Sequence, residues 1–375
     1  MKYYIIAGEA SGDLHASNLM KELKEKDPKA DFRFWGGDLM QAEGGTCVKH
    51  YKETAFMGFV GVLVNIRKVF KNLSFCKSDI SKYNPDAVIF VDYPGFNLRI
   101  AEYTHQKGYK NFYYISPKIW AWKESRVEKI KKYIDKLFVI FPFEIDFYKK
   151  HNYKVEFVGN PLLDAIEEKI NNKISRKKFL EDNNLQDKPI VAILAGSRKQ
   201  EISSNLPLMV KVSKYFPDYQ FVLAAAPSLD LKIYDKYIKN TNIKIVYNKT
   251  YDVMQHSVAG LITSGTATLE AALFNLPELV CYKGDWLSYQ ILKRLIKVKY
   301  ASLVNLIMDR LLIKEFLQYD MTVENVKNEL NKLLHDNNHI SQMKNNFAEM
   351  REVLGGKGAS ERTAEIIVSS VYQSI

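Results

Sequence analysis

Two carboxylates stand where apolar segments of the sequence end, Asp92 after AVIFV and Glu9 after KYYIIAG. Asp92 is followed at once by Tyr93, Pro94 and Gly95, which favour a short rigid turn. A carboxylate that a strand delivers into a cleft is suited to general acid or base chemistry. Asp, Pro and Gly are equally common where strands simply end. The residues alone therefore leave two interpretations of Asp92 open, a turn residue and a general base.

The loop after the first apolar segment has the composition of a site where backbone approaches a ligand closely. Its candidate substrate-binding residues are Gly8, Glu9, Ser11, Gly12 and Asp13. We expect a helix to begin near Leu14 with Ser11 or Asp13 as its N-cap, and such a turn needs no ligand. Glu9 is an additional carboxylate that a capped turn does not explain. The spacing G-x-G-x-x-G is absent, and with it the dinucleotide fingerprint.

Two segments in the second half of the chain are predicted to bind anions, because each places small residues at a helix start after an apolar strand. Their candidate residues are Gly196, Ser197, Arg198, Glu201, Ser264, Gly265, Thr266, Ala267, Thr268 and Glu270. Backbone N–H groups at a helix start and the guanidinium group of Arg198 favour a diphosphate. Glu270, about one turn into its helix, is placed to accept hydrogen bonds from ribose hydroxyls. A capped helix with a surface glutamate explains Glu270 without a ligand, and the Walker A ending is absent from the first segment.

A third segment, YYISPKIWAWKESRVEKI, places further candidates after a predicted strand. Trp120 and Trp122 are two of the four tryptophans of the chain, and both stand close to Ser116. All three are candidate binding residues. For at least one of the two indoles, an anchor in the core is the favoured interpretation.

Two amphipathic segments, 54–73 and 286–300, combine apolar residues with lysine and arginine. A basic amphipathic helix can lie on a membrane or cover an apolar ligand. Ordinary packing against a core is the default interpretation of the same pattern. The candidate contacts with a membrane or an acyl chain are Phe59, Val62 and Val69.

The elements that must position these residues are predicted from the apolar runs. Eleven runs are typical of strands: KYYIIA, FRFWG, DAVIFVD, NFYYIS, KLFVIF, KVEFVG, PIVAILAG, YQFVLAAA, IKIVY, VAGLIT and ELVCY. Their alternation with helical segments predicts parallel sheets covered by helices on both faces. A polar segment divides them into two series, so we expect two domains with a boundary between Pro161 and Lys188. From Met321 onward only helical patterns follow, and ligands of such folds lie at the carboxyl ends of strands.

Composition sets the class of protein and its partners. The chain has 375 residues, of which 47% are hydrophobic, and a net charge of +11. The three cysteines are not spaced as a zinc site or a disulfide framework, and they fit a reducing compartment. No apolar run approaches the ~20 residues that span a bilayer, so we expect a soluble or membrane-surface protein. The charge predicts an anionic partner, and the basic clusters lack the features of a nucleic-acid module.

Taken together, the motifs resemble the lipid-A-disaccharide synthase family. The segments that carry the resemblance are AGEASGD, MGFVGVL, VDYPGFN, YISPKIWAW, FPFE, FVGNPLLD, LAGSRKQEI, SGTATLE and YASLVNLIMDR. They occur in the family's order across the whole chain. The resemblance implies an α/β fold of GT-B architecture, with two Rossmann-like domains that face each other across a cleft. The expected domains are 1–165 for the acceptor and membrane, 166–340 for the UDP-sugar, and C-terminal helices 341–375 that return to the first domain.

The resemblance also implies a reaction. The family transfers 2,3-diacylglucosamine from its UDP derivative to the 6-hydroxyl group of 2,3-diacylglucosamine 1-phosphate, with inversion and release of UDP, in lipid A biosynthesis. Asp92 is then the expected catalytic base, and Arg198 with the helix start at 264–268 stabilises the diphosphate. Asn160 and Asn305 join the expected substrate contacts. No cofactor or metal is expected, and the expected place is the cytoplasmic surface of the inner membrane.

Three positions depart from the family pattern. Gly61 stands where the family commonly has glutamate, Asn160 where it has histidine, and Gly95 where it often has an acidic residue. A carboxylate role at position 61 and a histidine role at position 160 are therefore not carried over. The family's C-terminal helices are sometimes exchanged between subunits, and the sequence leaves monomer and homodimer open.

Two other classes of function remain open at this level. The first is another GT-B enzyme that acts on a UDP-sugar, such as a UDP-N-acetylglucosamine 2-epimerase or a transferase with a soluble acceptor. The second is a non-catalytic protein on the same scaffold that binds a membrane surface or a nucleic acid. Activity that depends on an acylated substrate would distinguish the family's reaction from the first class. Binding to liposomes or oligonucleotides that does not respond to UDP would identify the second.

Overall fold

The computed structural model describes residues 1–54, 66–121, 123–226, 229–284 and 299–373. They form two compact units, of which unit 1 contains Met1–Pro161 and Leu354–Ile375 and unit 2 contains Leu162–Val353. Each unit is built on one parallel sheet, with seven strands in unit 1 and six in unit 2. The predicted α/β class with parallel sheets is confirmed. Phe59, Gly61, Val62 and Trp122 lie outside the described residues.

The sheet of unit 1 places the ends of β1 and β4 at its centre. Its strands are β1 (Lys2–Ala7), β2 (Asp31–Gly36), β3 (Thr46–His50), β4 (Ala87–Val91), β5 (Lys110–Tyr114), β6 (Lys136–Val139) and β7 (Glu156–Phe157). They are hydrogen-bonded in the order β3-β2-β1-β4-β5-β6-β7. The direction of winding reverses between β1 and β4, and such a switch point is where open α/β sheets bind ligands.

The sheet of unit 2 repeats this arrangement. Its strands are β8 (Ile190–Leu194), β9 (Gln220–Ala225), β10 (Lys244–Tyr247), β11 (Ser257–Thr263), β12 (Glu278–Tyr282) and β13 (Glu315–Leu317). Their order is β10-β9-β8-β11-β12-β13, so winding reverses between β8 and β11. The two predicted anion-binding segments follow β8 and β11, the two strands at this switch point.

Seventeen α-helices occur among the described residues. They are α1 (Ala10–Lys26), α2 (Asp38–Ala42), α3 (Tyr51–Thr54), α4 (Ile66–Tyr83), α5 (Pro94–Gln106), α6 (Val127–Tyr133), α7 (Pro142–Lys150), α8 (Leu162–Asn171), α9 (Arg176–Asp182), α10 (Lys199–Ser213), α11 (Lys232–Ile238), α12 (Thr250–His256), α13 (Thr266–Leu273), α14 (Leu303–Met308), α15 (Val323–His335), α16 (Asn337–Val353) and α17 (Ala359–Tyr372). The last helix packs against α1 in unit 1.

The central strands β4 and β8 consist entirely of apolar residues, which favours their position in the middle of the sheets. All five residues of β4, AVIFV, are buried, and so are the five of β8, IVAIL. A strand of this kind is covered by helices on both faces, as parallel sheets require. Each large side chain that leaves water contributes about 1.5–3 kcal/mol to folding. These strands therefore form rigid supports for the loops that follow their carboxyl ends.

The structure corrects the predicted elements in two respects. All eleven predicted strands are present, but β3 and β13 were not predicted. Both lie at the outer edges of their sheets, where a strand is short and only partly apolar. The predicted helix start near Leu14 is wrong, because α1 begins at Ala10 with Glu9 as its N-cap residue. Neither Ser11 nor Asp13 caps that helix.

Candidate active site

Asp92 and Glu9 lie at the switch point of unit 1. Ala7 and Val91 are partners in the parallel pairing of β1 with β4, so the loops that begin just after them share one edge of the sheet. Burial raises the pKa of Asp92 to about 6, and the negative charge of Glu9 adds to this rise. Lys118, which sequence reasoning missed, acts in the opposite direction. Asp92 is thus a carboxylate with a proton affinity suited to general base chemistry near neutral pH.

The backbone at Asp92 is held in a conformation that side chains disfavour. Its φ is 43° and that of Tyr93 is 49°, so two successive non-glycine residues are left-handed. This conformation costs roughly 1–2 kcal/mol per residue and persists only where the surroundings enforce it. The carbonyl oxygen of Asp92 accepts hydrogen bonds from the Tyr113 hydroxyl at 2.5 Å and from Asn97 Nδ2 at 2.7 Å. Pro94 then begins α5 with its fixed φ.

The glycines after β1 are explained by packing inside the chain. A Cβ atom on Gly8 would lie 2.3 Å from Cγ of Tyr93, so the Tyr93 ring occupies the space that a side chain would need. A Cβ atom on Gly12 would meet the Cβ atom of Ala7 at 3.3 Å. We predicted both glycines as ligand contacts. In this structure the absence of a side chain at Gly8 leaves room for the ring of Tyr93. The absence of one at Gly12 lets α1 pack close to β1.

Asp13 and Ser11 also have roles within the chain. The Asp13 carboxylate is 2% exposed and accepts the backbone N–H groups of Gly37, Leu39 and Met40 at 2.7–3.2 Å. It therefore caps α2, and a contact between Asp13 and substrate stays a prediction. Ser11 is exposed and its hydroxyl donates to Glu9 Oε1 at 3.1 Å, which orients that carboxylate.

The loop after β5 combines a buried polar cluster with a partly exposed indole. Ser116 is buried and shares a hydrogen bond of 2.8 Å with the hydroxyl of Tyr148. Trp120 lies edge-on against Phe143, with 4.8 Å between ring centroids.

Glu144, which sequence reasoning missed, is buried and accepts the N–H groups of residues 140 and 141 at 3.1 and 3.0 Å. Burial raises its pKa to about 7 despite these bonds.

In unit 2, Glu201 fills the helix start after β8 that was predicted for a phosphate. Its Oε2 atom accepts the N–H groups of Ser197 at 2.9 Å and Arg198 at 3.3 Å, and Oε1 lies 2.8 Å from Nη1 of Arg198. Gly196 has a φ of 109°, and a Cβ atom there would lie 2.6 Å from Cβ of Glu201. These backbone donors are thus bound to a carboxylate of the chain itself. The side chain of Arg198 remains 72% exposed.

The helix start after β11 is open. Gly265 and Thr266 are exposed, and a Cβ atom on Gly265 would meet nothing within 4 Å among the described residues. Ser264 Oγ donates to the carbonyl oxygen of Ala301 at 2.8 Å, and the Thr268 hydroxyl donates to that of Gly265 at 2.9 Å. These two side chains hold the turn. The first N–H groups of a helix lack intrahelical partners and attract anions, so α13 presents such groups beside Ala267 to open space.

Glu270 lines a groove beside this helix start. The hydroxyl of Tyr251 donates to Glu270 Oε1 at 2.8 Å, and burial raises the pKa of Glu270. The groove has a volume of about 300 Å³, and its lining residues are Lys169, Asn248, Lys249, Thr250, Tyr251, Asp252 and Glu270. It therefore adjoins the carboxyl end of β10, at the same edge of the sheet as the two helix starts. A groove of this volume is at the lower end of the range for small ligands.

Three other predicted residues serve the fold. Asn305 is fully buried, and its amide is bound to Leu312, Ile313 and Glu315, so it links α14 to the segment before β13, and a substrate contact there stays a prediction. Asn160 is fully buried, and its N–H donates to the carbonyl oxygen of residue 354 at 3.1 Å. Val69 packs against the core of unit 1, whereas its neighbour Phe70 is 64% exposed.

Sequence reasoning missed Asn97, Tyr113, Lys118, Glu144 and Tyr251. For Asn97 the available signal was its position in the segment VDYPGFN, five residues after Asp92. The others depend on strand neighbours that a sequence does not display. Among the described residues, we find no cluster of three His, Cys, Asp or Glu side chains arranged for a metal ion. The helices of that part of the chain include none with the length and apolar character needed to cross a membrane.

Comparisons with known proteins give consistent matches over nearly the whole chain. A family model described as lipid-A-disaccharide synthetase matches residues 3–369. The chain is 37% identical over 371 residues to a lipid-A-disaccharide synthase of Geobacter metallireducens, covering 97% of this chain and 96% of the relative. It is 35% identical over 373 residues to one of Coxiella burnetii, covering 98% of each. A solved UDP-GlcNAc 2-epimerase from Neisseria meningitidis bound to UDP-GlcNAc shares the fold, with a TM-score of 0.68, 13% identity and 100% coverage of both chains.

Proposed function

The chain belongs to the lipid-A-disaccharide synthase family and is a glycosyltransferase of lipid A biosynthesis with a GT-B fold, and we propose which substrates it joins and how. The donor is UDP-2,3-diacylglucosamine and the acceptor is 2,3-diacylglucosamine 1-phosphate. The products are a β-1′,6-linked disaccharide 1-phosphate and UDP. The observation that carries the mechanism is Asp92, a partly buried carboxylate with a pKa of about 6 at the switch point of unit 1.

Asp92 acts as the general base. Its carboxylate takes the proton of the acceptor's 6-hydroxyl group as that oxygen attacks the anomeric carbon of the donor. The bond from the anomeric carbon to the UDP oxygen breaks, and its electron pair leaves with the diphosphate. Attack on the face opposite to UDP inverts the configuration. Because only the ionised carboxylate accepts a proton, the rate should rise with pH through about 6.

Unit 2 binds the UDP part of the donor. The groove lined by Tyr251 and Glu270 takes the uridine, and Glu270 accepts hydrogen bonds from the ribose hydroxyls. The diphosphate lies at the open start of α13, beside Gly265 and Thr266. The exposed guanidinium group of Arg198 stabilises the charge that develops on the leaving diphosphate.

Unit 1 binds the acceptor and the membrane surface. Along α4, exposed Phe70 and Phe75 accompany the exposed basic residues Arg67, Lys68 and Lys71. Such a face suits acyl chains and anionic headgroups, and the net charge of +11 acts in the same direction. The protein would then work at the cytoplasmic surface of the inner membrane, where both acylated substrates reside.

The reaction can be tested in one incubation with both acylated substrates. UDP release that depends on the acceptor, together with a product of the mass of the tetra-acyl disaccharide 1-phosphate, is the expected result. Asp92→Asn should abolish this turnover and leave UDP binding to unit 2 unchanged. UDP release without a disaccharide product, or conversion of UDP-N-acetylglucosamine to its 2-epimer, would refute the proposed reaction.

A further inference from the structure

The carbonyl oxygen of Asp92 accepts hydrogen bonds from two side chains that belong to different elements. Tyr113 comes from the neighbouring strand β5, and its hydroxyl lies 2.5 Å from this oxygen. Asn97 comes from α5, and its Nδ2 atom lies 2.7 Å away. The ring of Tyr93, the residue that follows this carbonyl group, lies against Gly8 in the loop after β1. Three elements thus converge on the single peptide that joins Asp92 to Tyr93.

We propose that Tyr113 and Asn97 are positioning residues for the transfer reaction, which hold the left-handed backbone at Asp92 and thereby aim its carboxylate at the acceptor hydroxyl. This inference rests on the proposed role of Asp92 as the base. Neither residue needs to touch a substrate, because both act through the carbonyl oxygen of Asp92. They orient the Asp92 carboxylate, and Asp92 itself remains the group that accepts the proton.

The two donors are suited to this task at any working pH. Burial, and then the negative charge of Asp92, raise the pKa of Tyr113 well above its usual value, so its hydroxyl keeps its proton and remains a donor. An amide does not titrate, and Asn97 Nδ2 also lies 3.3 Å from the carbonyl oxygen of Ile6 and 3.4 Å from that of Val91. Asn97 therefore joins the ends of β1 and β4 to the peptide that follows Asp92.

The φ values explain why these bonds are needed. Asp92 and Tyr93 have φ values of 43° and 49°, a region that side chains other than glycine rarely adopt. Without donors on the intervening carbonyl oxygen, this peptide can rotate to a right-handed or extended conformation. Such a rotation would change the direction of the Asp92 side chain, and a displacement of about 1 Å at a reacting group can cost roughly 100-fold in rate.

The first variant to test is Tyr113→Phe, because it removes only the hydroxyl and keeps the buried ring. The matched control is Tyr114→Phe, the next residue of the same strand, whose hydroxyl shares a hydrogen bond of 3.2 Å with Ser360 on the opposite face of the sheet. For Tyr113→Phe we expect kcat to fall roughly 10- to 100-fold with KM within about 3-fold of wild type. For Tyr114→Phe we expect neither constant to change by more than about 2-fold.

The pH profile separates positioning from a general loss of structure. Once the peptide relaxes, the carboxylate of Asp92 becomes more hydrated, so the acid limb of the kcat profile should move below its wild-type midpoint in Tyr113→Phe. The control should keep the wild-type midpoint. Asn97→Ala, which removes the Nδ2 donor without adding a charge beside Asp92, provides a second variant should Tyr113→Phe fold poorly, and it should lower kcat at least as much.

The outcomes distinguish this inference from the proposed function. A folded Tyr113→Phe variant with wild-type kcat and an unmoved acid limb would overturn the positioning role, even where Asp92→Asn is inactive. An active Asp92→Asn variant would instead remove the base itself. Loss of kcat in Tyr113→Phe with a lowered acid limb, beside a normal Tyr114→Phe control, supports the inference.

Discussion

Arg198 and Glu201 form an ion pair at the start of α10, in which Nη1 lies 2.8 Å from Oε1. The other carboxylate oxygen of Glu201 accepts the N–H groups of residues 197 and 198. A carboxylate of the chain therefore occupies the donors that the sequence predicts for a phosphate. Because the Arg198 side chain is 72% exposed, this pair is worth at most about 1 kcal/mol and leaves the guanidinium group available to an incoming diphosphate.

The exposure of Arg198 predicts a change in UDP affinity without a change in stability. A hydrogen bond to a charged group contributes about 1.5–3 kcal/mol, so Arg198→Ala should weaken UDP binding roughly 10- to 100-fold in calorimetry. Lys199→Ala is the matched control, because Lys199 is an exposed cation at the next position. Its UDP affinity should stay within about 3-fold of wild type. Equal losses in both variants would mean that only the net charge matters.

The charges around Asp92 predict opposite shifts in the pH profile. Glu9 raises the pKa of Asp92, so Glu9→Gln should move the acid limb of kcat/KM below about pH 6. Lys118 lowers that pKa, so Lys118→Gln should move the limb above the wild-type midpoint. Both profiles are measured as kcat/KM, whose acid limb reports groups in the free enzyme. Shifts of the same sign in both variants would contradict this assignment of charges.

The fold could be predicted because central strands of parallel sheets have an apolar run with few interruptions. AVIFV and IVAIL show this directly, and the carboxylate after AVIFV could therefore be placed at a strand end. TCVKH and EFL could not be recognised, because an edge strand needs less apolar surface. The residue types after the strands therefore predicted the position of Glu9 and Asp92 at the carboxyl ends of β1 and β4.

The roles of individual polar residues were less predictable, because their partners are distant in the sequence. Asp13 looks like a ligand contact in GEASGD, but its donors lie 24–27 residues away, at the start of α2. Asn305 likewise binds backbone groups of residues 312 and 313 in a later loop. In the sequence, Tyr113 does not differ from the other aromatic residues of its strand. The pairing of β5 with β4 places its hydroxyl on the carbonyl oxygen of Asp92. Only the three-dimensional arrangement separates these roles.

An ion pair between the buried carboxylate of Asp79 and the partly exposed Arg33 anchors α4 to the sheet of unit 1, and its loss should destabilise the protein. Asp79 is 7% exposed and binds Arg33 through two hydrogen bonds of 2.6 and 2.8 Å, and its Oδ2 atom also accepts the hydroxyl of Tyr4 at 2.8 Å. Asp79→Asn leaves the Arg33 cation without its counter-charge, so the free energy of unfolding should fall by about 2–3 kcal/mol in urea. Asp38→Asn, at a carboxylate that is 73% exposed, should leave the free energy of unfolding nearly unchanged. Equal effects of the two substitutions would show that the buried network contributes nothing.

Glu278 predicts a dependence of stability on pH that a single substitution should remove. It begins β12, is fully buried, and neither carboxyl oxygen has a hydrogen-bond partner among the described residues. Burial raises its pKa well above the ordinary value of 4.5, so the folded protein keeps a proton that the unfolded chain loses above about that pH.

The sign of the effect follows from this difference in bound protons. The contribution of the neutral carboxyl group to stability is fully present below pH 4.5, and it is lost as pH rises from there through the pKa of the folded state. Glu278→Gln has a similar shape and does not titrate, so its stability relative to wild type should increase between pH 5 and pH 8. The slope of this difference is at most about 1.4 kcal/mol per pH unit, measured by urea unfolding at a series of pH values. For the control Glu181→Gln, at an exposed carboxylate, the difference in stability from wild type should not change with pH. If that difference is also independent of pH for Glu278→Gln, the carboxyl group of Glu278 ionises in the folded protein as it does in the unfolded chain.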